Sequence, residues 1–250
     1  SSIVPVYNAD GTWASQSEYA VAGDGLTGVP NAVASATDIV NKNTNLRLFA
    51  NMYAEVSILK NLKFKSTIGS DIMEYRSRYF RPSTVPKNGA VAPLPSTDRK
   101  ATSSSVEVVN WLNENTLSYY TSFNKVHEID AVAGFTVQKN IYNQTYAEGS
   151  DFPDDIIQTI NNAKVKSGST DTNEWSLLSY LARVNYRYNN RYYLTASIRA
   201  DGSSRFGKNN RYGTFPAFSL GWRLSEEAFL KEKTSIFSDL KLRFGWGMTG

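Results

Sequence analysis

One run of thirteen residues constrains this chain more than any other. Leu46, Leu48, Ala50, Met52, Ala54, Val56 and Ile58 are all apolar, and between them stand Arg47, Phe49, Asn51, Tyr53, Glu55 and Ser57. Successive side chains of a strand point to opposite faces, so a strict period of two specifies a long β-strand with one apolar face. Lys60-Asn61 supplies a tight turn. The alternation then resumes, with Leu62, Phe64, Ser66, Ile68, Ser70 and Ile72 opposing Lys63, Lys65, Thr67, Gly69 and Asp71. The two segments read as a hairpin.

The same period recurs down the chain. Trp111 to Tyr120 is a weaker strand, its faces blurred by Asn113, Glu114 and Asn115. Ile129, Ala131, Ala133, Phe135 and Val137 oppose Glu128, Asp130, Gly134, Thr136 and Gln138. Leu178, Tyr180, Ala182, Val184, Tyr186 and Tyr188 share a face, and the Asn189-Asn190 turn leads into Tyr192, Leu194, Ala196 and Ile198. Two further strands read Phe218 to Leu224 and Leu240 to Met248, giving about eight, with no useful helix-period segment. Residues 1–45 read as a loop. The connections near 60, 124 and 190 are short, whereas 76–105 and 139–174 read as long polar loops and 201–214 as an intermediate one. A single helical turn is expected around Asp154 to Ile160.

No window holds 18 consecutive apolar residues, which excludes helical membrane spans. A barrel strand needs only about 9–11 residues with one apolar face, so the membrane itself stays open. The absence of cysteine excludes disulfides, thiolate metal sites and a Cys nucleophile. A net charge of +4 without a basic run gives no reason to expect nucleic acid. His127 is the single histidine, so no His-based triad or multi-His metal site exists within the chain. The first residues show no leader, and the last strand stops in mid-pattern at Trp246 to Gly250; both ends are expected to be cut from something longer.

Alternating short and long connections suit an outer-membrane barrel with short periplasmic turns and long extracellular loops. Tyr186, Tyr188 and Tyr192 flank one short turn, and Tyr119, Tyr120 and Phe123 flank another, as an aromatic girdle requires. Arg183, Arg199, Arg223, Lys241 and Arg243 stand on the opposite faces. They would line a watery lumen in a barrel, or look outward to solvent in a β-sandwich. Alternation alone leaves both architectures standing.

The stretch from Tyr188 to Gly250 carries more specific information. Its segments RYYLTASIRADGSSRFG, RYGTFPAFSLGWRLSEEAFL and LKLRFGWGMTG closely resemble the SusC/RagA family of TonB-dependent outer-membrane transporters of Bacteroidota. NMYAEVSILKNLKFKSTIGSD, WLNENTLSYY and HEIDAVAGFTVQKN resemble it more loosely. The resemblance implies an all-β fold: an antiparallel up-and-down transmembrane β-barrel segment, about eight strands of a larger barrel. Residues 1–45 would be an extracellular loop region and residues 46–250 an incomplete part of the barrel, with plug domain and C-terminal strands absent. It further implies nutrient import at the Gram-negative outer membrane, with oligosaccharides or peptides as substrate. The implied partners are outer-membrane lipid, a SusD-like lid lipoprotein, and the TonB complex through regions outside this chain. The alternative is a small outer-membrane barrel or a secreted β-sandwich acting as a glycan-binding or adhesion module.

No converging set of acid, base and nucleophile is legible, so no enzyme activity, cofactor or metal is expected. Asp151, Asp154 and Asp155 cluster in the long loop, where capping and solvation explain them more simply than calcium does. His127 reads as a polar turn residue. The candidate lumen or loop ligand contacts are Arg78, Tyr79, Arg183, Arg199, Asp201, Arg205 and Phe206. Asp201 and Arg205 bracket a DGSSRF turn that a charged hydrogen bond between them would fix, while Arg205 and Phe206 could instead face ligand. Arg76, Arg78, Tyr79 and Arg81 suit either sugar or peptide recognition, or an anionic outer-leaflet lipid.

Overall fold

The computed structural model describes residues 5–14, 31–85, 98–207, 209–231 and 239–249. Eight strands form one sheet in the order β1-β2-β3-β4-β5-β6-β7-β8, so each is hydrogen-bonded to its sequence neighbours. They are β1 (Val40–Leu59), β2 (Leu62–Arg81), β3 (Lys100–Phe123), β4 (His127–Ser150), β5 (Val165–Tyr188), β6 (Tyr192–Ser203), β7 (Tyr212–Arg223) and β8 (Lys241–Gly247). Among the described residues two α-helices accompany them, α1 (Ala32–Thr37) and α2 (Ala228–Lys231). This is the expected up-and-down meander, and a Greek-key sandwich is excluded for the described strands.

The short connections have a simple cause. Asn124 and Lys125 have φ of 53° and 58°, and Asn189 and Asn190 have 46° and 54°. Two consecutive left-handed residues make the two-residue turn whose twist matches that of a strand pair, and asparagine tolerates that backbone better than most residues. A longer connection at this same end, residues 224–240, joins β7 to β8 and contains α2.

The long loops are shorter than the sequence suggested. β2 continues to Arg81 and β3 starts at Lys100, while β4 continues to Ser150 and β5 starts at Val165. The connections are therefore 82–99 and 151–164, not 76–105 and 139–174. Most of the added strand residues are polar on both faces, with isolated exceptions such as Phe80, Ala101 and Ile141, so apolar alternation could not reveal them. Side-chain pairs stand in its place: Lys139 with Glu174 at 2.9 Å, Thr172 donating to Asn143 at 3.1 Å, and Lys100 with Glu148 at 2.8 Å. The expected helical turn is a 3-10 turn at Ile160–Asn162, later than Asp154. At the N-terminal side, Asn31 caps α1 through the amides of Val33 and Ala34, and β1 begins inside the segment read as loop. Residues 1–4 and 15–30 of that segment, 86–97 of the first long loop and residue 208 lie outside the described residues.

Register assigns the faces. Lys63 pairs with Glu55, Lys65 lies over the Tyr53 ring, and Tyr75 donates to Asn43, which puts the odd residues of β1 and β2 together. Gln138 donates to Asn110 and Tyr120 to Glu128, which joins the even residues of β3 and β4. Asn185 donates to Asp130, bringing in the odd residues of β5. Arg183 pairs across the ladder with Ser197, and Leu181 with Arg199, whereas Val184 faces Ala196 and Ala182 faces Ile198. Arg223 opposes Lys241, and Trp222 opposes Leu242. Over residues 48–72, 109–137 and 177–247 the charged and apolar side chains thus separate onto opposite faces, as expected, whereas nearer the long loops Lys42, Glu74, Arg76, Arg78, Lys139 and Glu174 share the apolar parity. Asn113 and Asn115 depart from the rule, sitting on the apolar side, where Asn115 donates to Asn113 and Asn113 to the Thr67 carbonyl.

The chain gathers into two compact units. The first comprises residues 1–47, 73–108 and 142–173. Its core is Phe80, Ala101, Phe152 and Ala163, with Val40 and Ile160 packed against it, and the Phe80 and Phe152 rings meet edge to face at 5.3 Å. The second comprises residues 48–72, 109–141 and 174–250. None of the buried apolar side chains belongs to it among the described residues. Met52 is 77% exposed, Phe244 60% and Ile198 49%. An apolar face left this open needs a nonaqueous neighbour.

Candidate functional site

The polar face of the second unit holds a cavity of about 360 Å³ lined by Tyr120, Glu128, Asp130, Asn185, Arg187 and Thr195, among others. β4 and β5 bring the acidic and basic groups together because His127 to Asp130 lies directly across from Asn185 to Tyr188. Arg187 pairs with Glu128, which also accepts from the Tyr120 hydroxyl at 3.4 Å. Asn185 donates to Asp130 at 2.9 Å and accepts from Thr195 at 2.9 Å. Each side chain is oriented by its neighbour, so the wall presents a fixed array of donors and acceptors. Such an array can hydrogen-bond hydroxyls or peptide groups. It holds no nucleophile beside a base.

The sequence-predicted contacts are not brought to one place. Arg199 donates through Nε to both oxygens of Asp201, at 2.8 and 2.7 Å. The expected Asp201–Arg205 bond is therefore replaced by Asp201–Arg199, two residues apart on one face of β6. Arg205 instead lies over the Trp175 ring at 5.2 Å, a cation–π contact, and Phe206 is exposed. The turn is fixed to β5 by other means: the Ser204 amide donates to the Ser176 carbonyl at 3.0 Å, and the Ser176 amide to Ser204 Oγ at 2.8 Å. Arg183 stands on the polar face of β5 beside these strands. Arg78 and Tyr79 line a separate cavity of about 350 Å³ in the first unit.

The three loop aspartates do not converge. Asp154 caps the amides of Ile156 and Ile157, and Asp151 pairs with Lys164 at 3.6 Å. Asp155 accepts from the Ser83 amide at 2.9 Å, the Ser83 hydroxyl at 2.6 Å and Arg99 Nε at 2.9 Å. Arg99 also donates to the Phe152 carbonyl at 2.9 Å. Burial pushes the Asp155 carboxyl up, but the Ser83 bonds and the Arg99 charge outweigh it and hold it below the usual aspartate value. Among the described residues no cluster of three potential metal ligands occurs.

On the apolar face of the second unit, rings run along the short-turn end. Phe123 stacks on His127 at 4.5 Å, His127 meets Tyr188 at 4.9 Å, Tyr188 stacks on Tyr192 at 6.2 Å, and Tyr192 on Trp222 at 6.4 Å. His127, beside the turn, is thus also part of an aromatic row, sharing a 2.7 Å hydrogen bond with the Tyr186 hydroxyl. Glu227 receives the Tyr192 hydroxyl at 2.6 Å and the Trp222 indole N–H at 2.9 Å, and these bonds hold its carboxyl below the usual range. Tyr120, counted with the girdle from sequence, points to the polar face instead. Glu128, Asp130, Asn185, Arg187, Ser83, Arg99 and Glu227 were not singled out as site residues. Only the register across β4 and β5 could have flagged the first four.

No protein-family model matches the sequence. A TonB-dependent receptor of Formosa agariphila is 35% identical over 225 residues, which is 88% of this chain and 21% of the receptor. A second receptor of that organism is 32% identical over 248 residues, 98% of this chain and 23% of the receptor. The TonB-dependent receptor SusC of Bacteroides thetaiotaomicron is 40% identical over 139 residues, 56% of this chain and 14% of SusC. The chain thus spans less than a quarter of the length of these curated relatives. Among solved structures, the RagAB peptide transporter superposes with a TM-score of 0.80 at 23% identity, covering 97% of this chain and 26% of the transporter chain. Meander, face separation and these likenesses agree: the chain belongs to the TonB-dependent receptors of the SusC/RagA kind, as a segment of their β-barrel.

Proposed function

We propose that residues 46–250 form wall and loops of an outer-membrane import barrel, with residues 1–45 at its extracellular side. The apolar face meets lipid and the polar face lines the lumen. The observation that carries this reading is the complete segregation of Arg183, Arg199, Arg223, Lys241 and Arg243 from Val184, Ile198, Trp222 and Phe244 across one hydrogen-bonded sheet. In hydrocarbon every backbone polar group must be paired, and a strand ladder does this while leaving one face free for lipid. No helix among the described residues is long and apolar enough to cross a membrane. The strands do the crossing.

The substrates are oligosaccharides or peptides, the classes that hydrogen-bonding arrays of Arg, Asn, Asp, Thr and Tyr recognise. A SusD-like lipoprotein closes the mouth, and the TonB complex acts through parts of the receptor outside this chain. The chain performs no covalent chemistry, and its contribution to selectivity lies in loops 82–99, 151–164 and 204–211 with the polar face beneath them. Tyr79, Arg183, Arg199, Asp201, Arg205 and Phe206 are the candidate contacts, whereas Arg78 shares the parity of the apolar side of β2 and is not among them. The test replaces residues 153–162 by a Gly-Ser linker in the full-length receptor, leaving β4 and β5 whole. Uptake and lid binding should fall while barrel assembly persists; unchanged uptake would overturn the role given to these loops.

A further inference from the structure

The first unit carries a basic site on the apolar-face side of its strands that the import reading does not use. On β2 the residues of that parity run Ile68, Ser70, Ile72, then Glu74, Arg76, Arg78 and Phe80. On β1 they run from Leu48 and Leu46 back through Thr44 to Lys42 and Val40. Both strands therefore change from apolar to polar and charged at the same end of the sheet. The contacts of Tyr75 with Asn43 and of Lys63 with Glu55 set the register, and this register places Lys42 across the ladder from Arg76 and Arg78.

Arg76 is committed to Glu74. Lys42 and Arg78 are exposed, and neither has a carboxylate or hydrogen-bond partner among the described residues. Arg78 opens onto the cavity of about 350 Å³. Val40, Phe80 and Ala101 give it an apolar floor, while Ser103, Gln158 and Thr159 supply hydroxyl and amide groups. One unpaired cation, Arg78, over the apolar floor of the cavity and a second, Lys42, across the ladder from it fit an amphiphile with a phosphate on its head. A neutral sugar or peptide would leave both charges unmatched. Arginine recognises phosphate bidentately, and lysine adds a second point charge.

We infer that Lys42, Arg78 and Ser103 hold the phosphate of an outer-leaflet phosphorylated lipid against the outer surface of the barrel. The inference rests on the membrane reading above. It adds a specific lipid site, separate from the lumen.

The test uses the full-length receptor, stripped of lipid in detergent and placed in phosphatidylcholine nanodiscs containing either diphosphoryl lipid A or its phosphate-free form. Lipid retained after re-extraction is counted by native mass spectrometry. The wild type should retain the phosphorylated form preferentially, and the Lys42→Gln/Arg78→Gln pair should retain it about tenfold less, as expected for losing a charge-assisted contact. Lys63→Gln/Lys65→Gln, on the polar face, should match the wild type, and Lys42→Arg/Arg78→Lys should restore retention if the glutamine pair folds poorly. Equal retention of both lipids, or no loss in the glutamine pair, overturns the inference. Displacement by millimolar inorganic phosphate also overturns it, because the site would then be one for free anions. Failure of the receptor to enter nanodiscs at all would instead sink the membrane reading.

Discussion

Arg99 Nε lies 2.9 Å from Asp155 Oδ1, joining the loop after β2 to the loop after β4 across 56 residues of sequence. With Ser83 on the same carboxylate, the two loops share one polar clasp seated beside Phe80 and Phe152. The loops are held by chemistry in their own side chains as well as by their strand ends.

Removing the carboxylate should free them. Asp155→Ala leaves the half-buried Arg99 guanidinium and the Ser83 amide without their acceptor, at a cost of about 1–3 kcal/mol to the local fold. Limited proteolysis of the full-length receptor should then cut within 82–99 and 151–164 while the strands stay intact. Unchanged cleavage would show that Phe80 and Phe152 hold the loops without the clasp.

The clasp should also respond to acid. The Asp155 carboxyl is depressed in the folded chain, so its stabilisation is complete above the unfolded aspartate value of about 3.9 and is lost as pH falls through the lower folded value. Protease sensitivity of the two loops should rise below roughly pH 4. Asp155→Asn should be sensitive at every pH and should flatten that dependence.

Face assignment gives a sharp pair of substitutions. With the apolar face against lipid, as proposed, Ile198→Arg puts a charge among lipid chains and should cost about 2–4 kcal/mol near the midplane. Ser197→Arg, one position away and on the polar face beside Arg183, should be nearly neutral. Heat-modifiability and urea unfolding of the assembled receptor measure both. Equal penalties would mean that neither face meets lipid.

The turns offer a backbone test. Asn190 sits at φ 54°, so Asn190→Val forces a β-branched residue into the left-handed region at a cost of about 1–2 kcal/mol or more, whereas Asn190→Gly should be tolerated. Assembly yield in the outer membrane reads the difference. A valine variant that assembles normally would show that the ladder between β5 and β6, not the turn, sets this hairpin.

The sequence disclosed the meander because residues such as Leu46 to Ile58 and Tyr192 to Ile198 must show one apolar face. It hid the polar ends of β4 and β5, because Asn143, Thr172, Lys139 and Glu174 obey the same ladder without any apolar contrast. Asp201 was paired with the wrong arginine: in a strand, residues two apart share a face, so Arg199 reaches it before Arg205 does. The array around Glu128 and Arg187 was illegible for a different reason. It exists only when two strands lie in one particular register, and no single segment carries that register.

The parity of the strands also governs which insertions and deletions such a gene can survive. One residue added beside Asn189 or Asn190 would shift β6 by one place and present Arg199 where Ile198 now stands, exchanging every side chain of that strand between its two surroundings. Two residues would return each side chain to its original face. Between Asp151 and Lys164, by contrast, length is free to vary in single steps, since no alternation is being counted there. Variation in length among relatives should therefore come in pairs along the ladder and one at a time at the rim.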